Sequence, residues 1–270
     1  MNRSQAVAIF QKMRQKQIAQ YQNHVKLTTD NINKIASNSL IIKYYDLEPT
    51  DIIFLKAFDY VNNLFPECKV KEATIYKCSR AYLDSLGYKS AAGFFCRLKK
   101  VVVIPDKLDF SEDPNSIWGS VKCTATIDEV IVHELLHYCS DRQDNYTTSV
   151  NIEEEFAYGN SIGYLKQKGY TKDEIIKNNF MPYLINSVDY SKFLPDILVK
   201  NGYHIGELEF VSENKKEEIL KKLEKQIFKQ AWDRAWEKGE EIIKIYSSKR
   251  FKMNNRINDN SKDFDFIDLE

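Results

Sequence analysis

No stretch of this chain holds the roughly 18 consecutive apolar residues that a membrane-spanning helix needs, and no block of Lys and Arg forms a phosphate-binding stripe. Charge of either sign is not in excess: basic and acidic residues number 39 each, and the pI is near 6.9. Neither nucleic acid nor a membrane is therefore an expected partner. The five cysteines, Cys68, Cys78, Cys96, Cys123 and Cys139, are odd in number and widely spaced, which excludes a C-x-x-C zinc knuckle and a dense disulfide framework. Reduced thiols are expected. A secretory signal would need an apolar core behind a basic start, but Ser4 to Lys26 is Gln-rich and interrupted by Lys12, Arg14 and Lys16. The expected location is the cytoplasm, or delivery elsewhere without a classical signal peptide.

What is present suffices for a folded protein: 270 residues, 43% of them hydrophobic, can bury one large core or two modest ones. Residues 4 to 24 place Ala6, Ile9, Phe10, Met13, Ile18 and Tyr21 at helical intervals, an amphipathic pattern. Thr50 is a candidate N-cap for a second helix ending before Pro66. Val70 to Lys77 partly alternates and reads as a strand. The stretch from Ala91 to Phe95 and the β-branched run Val101 to Ile104 read as a hairpin or strand pair. Residues 106 to 122 read as a loop.

Thr126 and Glu129 have the spacing of a capping box, which starts a helix running to about Cys139. Further helices are expected from about Asn151 to Lys168, closed by Gly169; from a second capping box at Thr171 and Glu174 to about Phe180; and from Leu194 to Lys200. Ser212 could cap a long last helix carrying Trp232 and Trp236, and the Asn- and Asp-rich end reads as disordered. The organisation this suggests is an N-terminal helical region over 1–66, a central region over 67–210, a long helix over 211–252 and a tail over 253–270. No internal repeat is visible. The expected class is α+β, a small sheet and a central helix flanked by mostly helical segments.

The chemistry concentrates at His133-Glu134-Leu135-Leu136-His137, an H-E-x-x-H motif. Four residues advance a helix by about one turn, so both imidazoles project from one face toward a single metal ion. Glu134, beside them, can take a proton from a water whose pKa zinc lowers to about 7. Ile131, Val132, Leu135, Leu136 and Tyr138 make this helix apolar nearly all round, so it should be buried and its polar groups should need partners. The alternative is a solvated helix face that happens to carry His and Glu.

A catalytic zinc site takes three protein ligands and leaves one position open. The extended metzincin pattern would place Gly at 140 and His at 143, where this chain has Ser140 and Gln143. Downstream lies Glu153-Glu154-Glu155-Phe156-Ala157, and here the sequence resembles the gluzincin metallopeptidases, whose third ligand is a Glu on a following helix, often with Ala three positions later. The resemblance implies a zincin-like core, Zn2+ as cofactor, a protein or peptide as substrate, Glu134 as general base, and His133, His137 and Glu154 as ligands. Glu155 remains an alternative ligand, and all three acids could simply favour a helix N-terminus. On a helical wheel Glu154 shares a face with Ala157, Ser161 and Leu165, whereas Glu153 falls with Asn160 and Gln167 on a face read as polar.

The resemblance also implies a strand ahead of the zinc helix that pairs with extended substrate, for which Val101 to Ile104 is the candidate; the alternative is an ordinary buried strand. The resemblance further implies a Tyr or His that stabilises the transition state, with Tyr146, Tyr158, Tyr203 and His204 as candidates. His24 reads as a solvated residue. A reading from another class stays open: a non-catalytic helical binding protein with a structural zinc site and the long C-terminal helix as its partner surface.

Overall fold

The structure, a computed structural model, describes residues 29–88, 91–108, 125–142, 150–204, 206 and 211–248. The expected helix over 4–24, most of the loop over 106–122, Cys123, Tyr146 and the tail lie outside the described residues.

The class is α+β, with a small mixed sheet followed by mostly helical segments. Helix α1 (Thr29–Ser37) leads into β1 (Ser39–Lys43), then α2 (Ile52–Leu64), β2 (Thr74–Cys78), α3 (Arg80–Ser85), β3 (Phe94–Cys96) and β4 (Val101–Pro105). The sheet order is β1-β2-β4-β3, with β2 parallel to β4 and both outer strands antiparallel to their neighbours. Helices cover both faces. Val101, Val103 and Cys96 pack with Ile32 and Ile35 of α1 and Leu83 of α3, while Val102, Ile104 and Ile75 pack with α2 and the helix that follows the sheet. That is why β4 reads as a continuous apolar run rather than an alternating one, and why all five of its residues are buried.

Two long helices come next, α4 (Ile127–Arg142) and α5 (Val150–Gln167). They run antiparallel, since Lys168, just past the end of α5, reaches Asp128 (2.8 Å) and Glu129 (2.6 Å) at the start of α4. Helix α6 (Lys172–Ile175) begins at the complete capping box of Thr171 and Glu174, passes through a π turn over Ile176–Phe180, and continues as α7 (Met181–Leu184). The helical stretch runs beyond the expected end at Phe180; Pro182, which has no N–H to give back, sits where regular helical bonding is interrupted. Helix α8 (Leu194–Lys200) and the 36-residue α9 (Glu213–Ser248) complete the described chain. No helix among the described residues is long and apolar enough to cross a membrane.

Helix α5 lies between two cores. Phe156, Ala157 and Tyr164 pack into the sheet-side core with α2 and α4, and Ile162 and Leu165 pack into a second core with the π turn, α7, α8 and α9. The polar face expected through Asn160 is not there. Asn160 is buried and donates to the Phe156 carbonyl at 2.9 Å, while its own carbonyl accepts from the Tyr60 hydroxyl at 2.7 Å. Partners on every side, together with Gly159 against the Tyr246 ring and Gly163 against the Tyr60 hydroxyl, let neighbours press onto this helix all round.

Candidate metal centre

Helix α4 starts where the capping residues place it: the Glu129 carboxylate accepts from the Thr126 N–H at 3.1 Å and from Asn179 of the π turn at 3.2 Å. Seven and eleven residues past Thr126, His133 and His137 stand one turn apart on the side facing α5, their side chains only 16% and 13% exposed. Their Nε2 atoms are 3.1 Å apart. Glu154, in the first turns of α5, sets Oε2 at 3.2 Å from His133 Nε2 and Oε1 at 3.4 Å from His137 Nε2. The antiparallel packing makes this meeting possible, because it brings the start of α5 alongside the far end of α4.

These three residues form the one group of metal-ligating side chains found among the described residues. Their geometry matches what a metal requires. Ligand atoms about 2.0–2.1 Å from a tetrahedral zinc lie about 3.3 Å from one another; here the two imidazole nitrogens are 3.1 Å apart, each Glu154 oxygen meets one of them, and one donor atom from each of the three residues lies within 4.8 Å of the others. Two imidazole nitrogens and a carboxylate oxygen are also a donor set that zinc and its neighbours in the first transition row accept.

The electrostatics of the metal-free group fit a cation in the same place. Burial pushes His137 down, but the Glu154 charge and hydrogen bond outweigh it and raise the imidazole to about 9. Burial pushes Glu154 up, yet the two histidines overcome this and hold the carboxyl well below the usual range. Positive charge is thus what this site gathers when no metal is bound. Glu134, buried at 7% exposure, is shifted the other way: desolvation raises it despite the opposing pull of His133 and His137.

Glu134 is placed by the sheet. The backbone N–H of Phe95 in β3 lies toward its carboxylate and weakly opposes the upward shift. The approach is close because Gly93 has no Cβ: one there would lie 2.7 Å from Val130 Cγ1 and 3.3 Å from Glu134 Cγ. The lead-in to Gly93 is held by buried Arg80, which donates to the carbonyls of Tyr88 and Ala91 and pairs with Asp84. On the other side stands an aromatic wall. The Tyr158 ring lies 4.5 Å from that of His133, stacks on Tyr183 at 5.3 Å and meets Phe180 edge-on at 5.6 Å.

The structure brings His133, Glu134, His137, Glu154 and Tyr158 together. Glu155 turns away from the histidines, toward Lys238 of α9 at 3.7 Å, and Glu153 pairs with Arg97 in the β3–β4 turn. Tyr146 lies outside the described residues; Tyr203 packs against the second core; His204 is exposed past α8 and is not among the donors that meet at the histidines. Val101 to Ile104 is corrected as the substrate-pairing candidate. As part of β4, Val101 to Val103 is paired with β2 on one side and β3 on the other and only Ile104 lacks a β3 partner, so among the described residues the open edge of the sheet on this side belongs to β3. Sequence reasoning missed Phe95, Gly93, Arg97, Tyr183 and Lys238 as neighbours of the site, and only the glycine carried a signal, as a small residue ahead of an aromatic strand.

The chain matches no protein-family model, no curated protein and no solved structure.

Proposed function

We propose that this protein is a zinc-dependent peptidase that holds the metal through His133, His137 and Glu154 and uses Glu134 as general base. The observation that carries the reading is the position of Glu134. It is buried beside the histidines and is not one of the three donors that could hold the metal. A structural site has no use for such a group, whereas hydrolysis needs one. Zinc bound there would acidify a water molecule and polarise a peptide carbonyl.

The chain's own residues supply the rest. Glu134 takes the proton of the attacking water and passes it to the leaving amine nitrogen; burial raises its pKa toward the working range of a general base. The open edge of β3 offers backbone groups to an extended peptide, which would lie along Phe94–Cys96 as an added strand. Among the described candidates, Tyr158, whose ring lies 4.5 Å from that of His133, is the one beside the donors and would supply the hydroxyl to the reacting carbonyl.

The test is Glu134→Gln, assayed for zinc content, thermal stability and cleavage of a mixed peptide library. Zinc and stability should match the parent, and turnover should fall about 10²- to 10⁴-fold. Cleavage at the parent rate would overturn the peptidase reading, and loss of zinc would move Glu134 into the ligand set.

A further inference from the structure

The three consecutive acids at the start of α5 each meet a different partner. Adjacent residues on a helix diverge by about 100°, and here the divergence is fully used. Glu153 pairs with Arg97 of the β3–β4 turn, Glu154 meets the two histidines of α4, and Glu155 points to Lys238 of α9. The outer two pairs differ in setting. Arg97 is 42% exposed and is shared with Asp141, at 3.5 Å, whereas the Lys238 and Glu155 side chains are 9% and 7% exposed. Lys238 also binds Glu241, at 3.0 Å, on its own helix.

We infer that Lys238 is a positioning residue for the metal centre: by pairing with Glu155 it fixes the rotation of α5 so that Glu154, and not its neighbour, faces His133 and His137. The inference rests on the metal reading of the site. A buried carboxylate without a cation is costly. With Lys238 gone, the buried Glu155 carboxylate loses its counter-charge on α9 and is drawn toward the positive charge that a metal held by the neighbouring Glu154 would bring. A small rotation of α5 in that direction carries Glu154 off the donor triangle. The Arg97 and Glu153 pair resists the same rotation from the opposite side, more weakly because water reaches it.

The experiment measures zinc affinity by chelator competition in the full chain for the parent, Lys238→Met, Lys238→Arg, the double variant Lys238→Met with Glu155→Gln, and Glu154→Ala as control. Loss of a group bonded to a metal ligand typically weakens binding about 10- to 100-fold, and because Lys238 acts through a ligand's neighbour the low end of that range applies. Lys238→Met should fall there, Lys238→Arg should stay near the parent, and the double variant should recover most of the loss, since it removes the stranded carboxylate with its cation. The recovery separates positioning from damaged packing, which a second substitution would not repair. Lys238→Met binding zinc as the parent does, while Glu154→Ala does not, overturns the inference alone. A double variant no better than Lys238→Met also overturns it. A parent protein that binds no zinc overturns the metal reading and this inference with it.

Discussion

At the scale of single residues, the close fit that bears directly on Glu134 is at Gly93. Any side chain there meets Val130 Cγ1 at 2.7 Å and the stem of Glu134 at 3.3 Å, with the Val103 carbonyl at 3.2 Å on a third side. Gly93→Ala should therefore push β3 away from α4, cost about 1–3 kcal/mol of stability, and lower turnover more than zinc content, because Glu134 is displaced and the ligands are not. Urea midpoint, zinc content and cleavage rate together check this; a variant losing zinc and activity in parallel would point to general unfolding. Gly93 also marks where residue-level reading stops. His133, Glu134 and His137 were legible because a helix of known pitch relates them and they lie within five positions. Glu154 was legible as one of three acids, through a resemblance rather than through physics. Arg97 and Lys238 were not legible at all: whether a lysine on a charged helix reaches a particular carboxylate far back in the chain depends on how α9 lies across α5, and local pattern does not contain that.

Elements are the next scale, and three of the helices end in the same way. Leu83, Leu165 and Leu198 each accept, at 3.0–3.1 Å, the N–H of a tyrosine five residues on, Tyr88, Tyr170 and Tyr203, across a glycine in the left-handed region. This is a Schellman closure with its hydrophobic contact built in. At Gly169 (φ +90°) nothing lies within 4 Å of the missing Cβ, so a substitution there probes backbone strain alone. Gly169→Ala should cost about 1 kcal/mol and Gly169→Asn less, measured as a shift in urea midpoint; equal losses would mean that a contact is involved. Such closures are visible in sequence, and so were the capping box at Thr171 and the strands of the hairpin. Others were missed for physical reasons. Helix α2 starts one residue later than Thr50 suggests, from Asp51, whose carboxylate accepts the Glu48 N–H at 2.9 Å. Strand β1, with Leu40 and Ile41 exposed on the sheet's outer edge, has no alternating pattern to betray it.

For the whole molecule, the α+β class and the mostly helical second part were legible from periodicity and turn residues. That α5 is enclosed on all sides was not, because Asn160, Gly159 and Gly163 look like surface residues until the tyrosines that meet them are placed. The enclosure has a global consequence in pH. His137 is raised from 6.5 to about 9 in the metal-free protein; its contribution to stability is present in full below pH 6.5 and is lost as pH rises through 9. Glu154 is lowered from 4.5; its contribution is present above pH 4.5 and is lost as pH falls. The metal-stripped protein should therefore be helped most between about pH 4.5 and 6.5 and should lose at most about 3 kcal/mol from pH 6.5 to 9. Denaturant midpoints in the presence of a chelator measure this, and His137→Gln should flatten the slope. An unchanged slope in that variant would assign the effect to other groups.

Helix α9 gives the site a place in time as well as in space. Lys238 reaches Glu155, and Tyr246 covers the bare backbone at Gly159, both from the last helix described. During synthesis at about 5–20 residues per second, Lys238 is made roughly 4–17 s after Glu154. For that interval the three donors already exist on the nascent chain while the helix that sets their alignment does not. If Lys238 sets that alignment as proposed, tight metal binding should wait until the C-terminal helix has been translated and has docked.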